Sequence, residues 1–163
     1  MEPVNKLGRV IARFDMLPQP LRARAITAAI RNVVPFVGTA GLRIEEMTRT
    51  RLVANVPNRR RAQNHIKGVH ACAMALLAET CTGLVVGMNV PDDRLPVIKT
   101  MRIDYKKRTR GALRAVATLR PDQIDQILAE EKGETTVAIT VTDEGGQEPI
   151  ICEMIWAWTP KRR

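Results

Sequence analysis

A single carboxyl group interrupts a long apolar run in this chain. Residues 69–86 are mostly alanine, leucine, valine, methionine and cysteine, and Glu79 stands in their midst. Such a run predicts a helix that is buried on all sides, where an unpaired charge would be costly. The polar residues Asn64, His65 and His70 precede it and lead to the free backbone N–H groups of the helix N-terminus. A carboxylate and an oxyanion site are the groups that acyl-transfer hydrolysis requires.

Other interpretations of the same residues remain open. Glu79 could be a structural carboxyl that is exposed or paired with an arginine. Cys72 could act as a nucleophile with His70 as its base, although a small residue in a buried helix also explains this cysteine. The histidines and cysteines near the helix show no CxxC or HxxxH spacing, so we expect no metal site. The sequence also has no glycine-rich phosphate loop and no GxSxG elbow.

The composition indicates one basic globular domain. The 163 residues are 45% hydrophobic and 26% charged, which is ordinary for a soluble domain of this length. The net charge of +9 attracts polyanions such as phosphorylated cofactors, acidic carrier proteins or nucleic acid. Aromatic residues make up 3% of the chain, which is few for a protein that stacks bases. Nucleic-acid binding therefore rests on charge alone, and we expect no nucleic-acid partner.

Neither a signal peptide nor a membrane span is expected. The N-terminal residues carry several charges and lack the apolar core of a signal peptide. Residues 68–91 are long enough to span a bilayer, but a glutamate in mid-span is costly there. Three cysteines, an odd number, fit a reducing compartment. We therefore expect a cytoplasmic protein.

The hydrophobic pattern changes from helical to extended near residue 40. Pro18 and Pro20 predict the start of a helix that could lie on a membrane surface but is expected to pack on the domain. Period-two alternation predicts antiparallel strands along most of the remaining chain. One of these strands is expected to turn four apolar residues to the same face: Val97, Met101, Ile103 and Tyr105. A short helix over 122–132 is expected to stop at Gly133.

These elements together predict an α+β fold. One antiparallel sheet of five or six strands would wrap around a central buried helix. Residues 1–39 would form an N-terminal helical extension that packs on the domain, and residues 40–163 would form the domain itself.

The segment 64–79, NHIKGVHACAMALLAE, resembles the signature of hotdog-fold thioesterases, in the branch that includes phenylacetyl-CoA thioesterase-like proteins. Five residues fall on the positions of that signature: Gly68, Val69, His70, Leu77 and Glu79. The sequences at 101–105 and 111–115 look like the hairpin that follows the helix in that family, and the resemblance covers roughly residues 40–160. An uncharacterised hotdog family of unknown function could hold the closest relatives.

The resemblance implies a role for each residue around the helix start. Glu79 would be the general base on water or the nucleophile, and the Ala71 N–H would stabilise the oxyanion. Asn64 would orient water or substrate, and His70 would cap the loop or assist the carbonyl. The remaining substrate-binding residues would be Gly68, Val69, Cys72, Arg59, Arg60, Arg61, Lys106, Lys107 and Arg108.

The resemblance also implies a partner and a substrate. The chain would form a homodimer or tetramer with the site between subunits, and it would hydrolyse an acyl-CoA or acyl-carrier thioester with no cofactor other than the CoA of the substrate. One departure supports a second hypothesis. The family's His-Gly-Gly is here His70-Ala71-Cys72, so a methyl group stands where the thioester carbonyl approaches. A non-catalytic hotdog module that binds acyl groups or a protein partner is the alternative.

Overall fold

The computed structural model describes residues 4–161, and its first part is helical as expected. Residues 4–40 form three helices, α1 (Lys6–Ala12), α2 (Gln19–Val33) and α3 (Pro35–Ala40). Asn5 caps α1 by accepting a hydrogen bond from the Gly8 N–H, and its amide donates to the carbonyl oxygens of Gly87 and Val90. Helix α2 buries its Ile26 and Ile30 side chains against the domain, so it is a packing helix.

The division of the chain at residue 40 stays a prediction. Residues 1–3 of the predicted extension and residues 162–163 of the predicted domain lie outside the part of the chain that the structure describes. None of the helices within 4–161 is long and apolar enough to cross a bilayer.

The central helix α4 (Ala71–Gly87) lies where the apolar run predicts it. Leu77, Ala78, Cys81 and Val85 are completely buried. One stripe departs from the prediction of burial on all sides: Cys72 is exposed, and Ala75, Glu79 and Gly83 are partly exposed. Residues spaced by three or four share one helix face, so α4 has a single open face, and Glu79 lies in it.

In the described part of the chain, seven antiparallel strands surround α4. They are β1 (Arg43–Met47), β2 (Arg51–Val56), β3 (Arg94–Tyr105), β4 (Leu113–Thr118), β5 (Gly133–Thr136), β6 (Ala138–Asp143) and β7 (Ile150–Pro160). Hydrogen bonds connect them in the orders β1-β2-β4-β6 and β3-β7-β5. Strands β5 and β6 form one extended run broken at Val137, whose N–H donates to the Met154 carbonyl (2.9 Å). The two ladders therefore join at Val137, and the wrapped antiparallel arrangement is confirmed with more strands than expected.

Two details of the predicted elements are wrong. A bulge between Ile98 and Thr100 shifts the register of β3, so that Val97 pairs with Ala157 whereas Met101 pairs with Met154. Because Ala157 and Met154 are an odd number of residues apart, Val97 and Met101 face opposite sides of the sheet.

The second correction concerns the end of the short helix. Helix α5 (Pro121–Ala129) is capped at Glu130, before the predicted stop at Gly133. Gly133 instead begins β5. Its missing side chain leaves space for the ring of Trp158, which would otherwise overlap a Cβ at this position.

The contact between α4 and β7 depends on another glycine. A Cβ at Gly83 would lie 2.6 Å from Cη2 and Cζ2 of Trp156, whose indole N–H is fixed by a hydrogen bond to Thr82 Oγ1 (2.9 Å). We predict that Gly83→Ala lowers the free energy of unfolding by about 1–3 kcal/mol, because overpacking outweighs the better helix propensity of alanine.

Gly87→Ala is the matched control for Gly83→Ala in denaturant unfolding. A Cβ at Gly87 would meet Leu7 Cδ2 at 3.6 Å, an ordinary van der Waals contact. The free energy of unfolding of this variant should therefore stay the same or rise by up to about 1 kcal/mol. Equal effects of the two substitutions would contradict the tight contact with Trp156.

Candidate active site

The loop over residues 64–70 is held rigidly by its own polar groups. Asn64 Oδ1 accepts hydrogen bonds from the N–H groups of Ile66 (3.1 Å) and Gly68 (3.0 Å). Lys67 adopts a left-handed conformation with φ of 61° in the middle of this turn. The loop therefore delivers the chain to the start of α4 in one defined direction, and Asn64 Oδ1 is used in doing so.

A neighbouring strand connection fixes the second half of this loop. Thr109 Oγ1 accepts a hydrogen bond from the Val69 N–H (3.0 Å). The same hydroxyl lies where a Cβ at Gly68 would be, at 2.9 Å. Gly68 is therefore required for the close approach of Thr109. Thr109 could not be predicted as part of this loop, because a lone threonine in a basic turn carries no signal of its long-range partner.

The first turn of α4 leaves one backbone donor free. His70 Nδ1 accepts a hydrogen bond from the Cys72 N–H (3.1 Å) and so caps the helix. The His70 carbonyl accepts from Ala73 and Met74. Within residues 4–161 the Ala71 N–H meets no acceptor. A free N–H at the positive end of a helix is suited to stabilise an oxyanion.

A cavity of about 370 Å³ opens at this helix start. It brings together six of the predicted site residues: Asn64, Gly68, Val69, Ala71, Lys107 and Arg108. Tyr105 also lines it, and its hydroxyl donates to the Ala71 carbonyl (3.0 Å). That contact orients the peptide next to the free N–H, and the sequence analysis placed Tyr105 in a strand without a role at the site.

The other predicted basic residues lie away from this cavity. Lys106 is close to Asp104 (3.4 Å) and does not line the space around Ala71. Arg59 and Arg60 are exposed, and the guanidinium of Arg61 packs beside Gly41. The arginine run and the helix start therefore form separate surfaces of the chain.

Glu79 lies half-buried on the open face of α4. Burial raises the pKa of its carboxyl group above the usual 4.5, and a weak hydrogen bond from Thr80 Oγ1 (3.4 Å) opposes that shift. No lysine, arginine or histidine in the described part of the chain lies within 4.0 Å of it. The Glu79 carboxyl is therefore neither fully exposed nor paired with an arginine.

The walls around Glu79 explain its raised pKa. A cavity of about 440 Å³ surrounds the carboxyl and is lined by Val34, Phe36, Cys72, Ala75, Leu76 and Met101. These side chains offer little hydration to a charge, so they favour the protonated form. Cys72 belongs to this apolar cavity and does not line the one at Ala71.

The Ala71 N–H and the Glu79 carboxyl are far apart within one chain. Ala71 and Glu79 are separated by eight residues of one helix, which is about 12 Å along its axis. They also open into different cavities. A single carbonyl group cannot contact both in one chain. Across residues 4–161, no three His, Cys, Asp or Glu side chains converge in a way that could hold a metal ion.

Comparisons with known proteins agree with this architecture. The family model described as a domain of unknown function, DUF4442, matches residues 22–158. A search of curated proteins finds no match.

Three solved structures are similar to the chain. A Pseudomonas aeruginosa structure, described as a protein of unknown function and probable thioesterase, is 26% identical with a TM-score of 0.75 and covers 89% of this chain and 97% of its own. A Haemophilus influenzae thioesterase is 15% identical with a TM-score of 0.68, covering 85% of this chain and 90% of its own. A Silicibacter pomeroyi thioesterase family protein is 12% identical with a TM-score of 0.63, covering 83% and 96%. The α+β hotdog fold and the resemblance to hotdog-fold thioesterases are confirmed.

The loop contacts of Asn64 lead to a stability prediction. Asn64→Ala removes the acceptor of two backbone N–H groups and should lower the free energy of unfolding by about 1–2 kcal/mol. Asn64→Asp keeps an oxygen in the same place and should stay within about 0.5 kcal/mol of the wild type. Denaturant unfolding measures both variants, and equal losses would show that Oδ1 does not hold the loop.

Proposed function

The chain belongs to the DUF4442 family of domains of unknown function, and we propose that it hydrolyses thioesters. The observation that carries this proposal is the half-buried Glu79 carboxyl, with its raised pKa and no cationic partner nearby, at the wall of an apolar cavity. Perturbed carboxyl groups in cavities are characteristic of catalytic sites. The thioesterases among the similar structures support the same activity.

In the proposed reaction Glu79 is the general base. Its carboxylate takes a proton from a water molecule, and the resulting hydroxide attacks the thioester carbonyl carbon. The carbonyl oxygen becomes an oxyanion that accepts a hydrogen bond from the Ala71 N–H. The tetrahedral intermediate then collapses, the carbon–sulfur bond breaks, and the thiolate leaves with the proton that Glu79 held. The products are a carboxylic acid and a free thiol.

The site we propose needs a second copy of the chain. Ala71 and Glu79 of one chain cannot contact the same carbonyl, whereas β3 lies beside both of them through Tyr105 and Met101. If two β3 strands met about a two-fold axis, the two α4 helices would run antiparallel. The helix start of each copy would then approach Glu79 of the other.

Strand β3 has the surface that such an arrangement requires. It is an edge strand that pairs with β7 on one side. Exposed apolar side chains lie on both faces of this edge strand: Leu95 (49% exposed) and Val97 (41%) on one face, and Met101 (50%) on the other. Long apolar edge strands tend to pair with another chain. We propose a homodimer assembled through β3, with a further association to a tetramer left to measurement.

The substrate we propose is an acyl-CoA or acyl-carrier thioester. The apolar cavity at Glu79 takes the acyl group, and Lys107 and Arg108 at the helix start attract the anionic carrier. The described cysteines, Cys72, Cys81 and Cys152, are all unpaired, which fits a reducing cytoplasm. The competing proposal, a non-catalytic module that binds acyl groups, is favoured by the methyl group of Ala71 beside the oxyanion donor.

Glu79→Gln should separate a catalytic carboxyl from a structural one. Hydrolysis of a panel of aliphatic and aromatic acyl-CoA thioesters, followed by the released thiol, should fall by about 10²–10⁴-fold, because the amide cannot take a proton from water. Wild-type activity should also fall as pH decreases through the raised pKa of Glu79. A wild-type chain that binds but never hydrolyses these thioesters would favour the non-catalytic module.

The same variant should not lose stability. Because the pKa of Glu79 is higher in the folded chain than in the unfolded one, ionisation costs stability as pH rises from the usual 4.5 through the folded value. Glu79→Gln should therefore melt at or above the wild-type temperature at pH 7, and the difference should vanish below pH 4.5. Glu153→Gln, at an exposed site on β7, is the control. A lower melting temperature with unchanged hydrolysis would assign Glu79 a structural role.

Val97→Lys should disrupt the proposed dimer. The wild type should have twice the mass of the 18.2 kDa chain in light scattering at micromolar concentration. A charge at this exposed position of the edge strand should shift the protein to single chains and reduce hydrolysis in parallel. Met16→Lys, at a site that is 94% exposed in the turn before α2, is the control that leaves the mass unchanged. A wild-type protein that hydrolyses thioesters as a single chain would refute the shared site.

A further inference from the structure

Helix α2 and strand β1 enclose a cavity of about 480 Å³ that the proposed hydrolysis does not use. Arg24, Arg31 and Arg43 line it. Arg24 and Arg31 are seven residues apart on α2 and so lie on the same face. Ala28, between them, also lines the cavity and leaves it open with its small side chain.

Arg61 extends this group to four guanidinium groups. Burial lowers the pKa of Arg31, and the positive charges of Arg61 and Arg43 lower it further. In the described part of the chain, none of the four arginines has a carboxylate within 4.0 Å. We call these residues, Arg24, Arg31, Arg43 and Arg61, the arginine cluster.

The acidic group in the same cavity is already neutralised. Glu45 lines the cavity, but one of its oxygens accepts from the Asn55 amide (2.7 Å) and the other from Arg114 Nε (2.8 Å). The arginine cluster therefore carries uncompensated positive charge at close range. Such a concentration of positive charge attracts an anion into the space.

Backbone contacts surround two of the four guanidinium groups, and one of them is fixed by hydrogen bonds. Arg31 donates to the Leu42 carbonyl through Nε (3.3 Å) and Nη2 (2.8 Å). Arg61 lies over Gly41, which has a φ of +78°, and any side chain there would run into its guanidinium. Groups held in place lose less entropy when a ligand binds, so Arg31 is positioned before a ligand arrives.

We propose that the arginine cluster binds a phosphate monoester, and that this is the 3′-phosphate of the CoA thioester. Guanidinium groups match the oxygens of a phosphate, and a dianionic monoester best balances several arginines. The assignment to CoA rests on the proposed function. The cluster and the Glu79 cavity share the α2–α3 segment, since Arg31 precedes Val34 by three residues.

Binding of CoA to the full chain by calorimetry tests the proposal. The wild type should bind CoA at least about tenfold more tightly than 3′-dephospho-CoA, because a charge-assisted phosphate contact is lost. The double variant Arg24→Gln/Arg43→Gln should bind CoA and 3′-dephospho-CoA equally, with the affinity that the wild type has for 3′-dephospho-CoA. Equal affinities of the wild type for the two ligands would overturn the proposal. Inorganic phosphate that binds the cluster as tightly as CoA does would also overturn it, since free phosphate would then be the ligand.

A matched double variant controls for net charge. Arg13→Gln/Lys132→Gln removes two positive charges at exposed positions outside the cavity and should leave CoA binding unchanged. The cluster variant should melt at or above the wild-type temperature, because it relieves repulsion among arginines. A loss of CoA affinity that is equal in both double variants would refute a specific phosphate site.

The phosphate site can be tested separately from the proposed hydrolysis. A short acyl thioester of N-acetylcysteamine carries no phosphate, so the cluster variant should hydrolyse it as fast as the wild type. If CoA binding depends on the cluster while no thioester is hydrolysed, the phosphate site stands and the hydrolase proposal fails. If thioesters are hydrolysed while CoA binding ignores the cluster, the phosphate site fails alone.

Discussion

The cost of placing a carboxylate in an apolar cavity is the constraint on which this molecule depends. Glu79 is half-buried, its pKa is raised by burial, and the described residues provide no cation to compensate. A chain selected for stability alone would place an apolar residue there. In the proposed hydrolysis the raised pKa has a use, because a carboxylate with a higher pKa is a stronger base. The same face of α4 that exposes Glu79 leaves room for a substrate.

The geometry of one straight helix sets the second constraint. The same helix supplies the free N–H at its start and the carboxyl two turns later, and the rise per residue keeps them about 12 Å apart. Strand β3 follows this face from Tyr105, which holds the Ala71 carbonyl, to Met101 beside Glu79. Because β3 is an apolar edge, the surface that leaves the site incomplete is also the surface suited to a second copy.

Local patterns were sufficient to predict the parts of the fold that local forces decide. The apolar run predicted α4, and the polar loop before it indicated where the free backbone N–H of Ala71 lies. The bulge in β3 could not be predicted from the alternation of apolar and polar residues. One extra residue moves all the side chains that follow it to the opposite face of the sheet and leaves no mark in the composition. Thr109 and Arg31 gain their roles from partners 40 and 11 residues away. The pattern predicted Gly133 as a helix stop, but this position requires glycine because the ring of Trp158 on β7 packs against it.

Heterodimers of two defective chains test the central claim, that each site combines Glu79 of one copy with the Ala71 N–H of the other. Ala71→Pro removes that N–H at a first-turn position where proline is tolerated, and His70 already has the extended conformation that a following proline requires (φ −65°, ψ 143°). Each variant homodimer should be inactive. A purified heterodimer of Ala71→Pro and Glu79→Gln chains holds one intact site, so it should regain about half of the wild-type activity. A heterodimer as inactive as both parents would contradict the account.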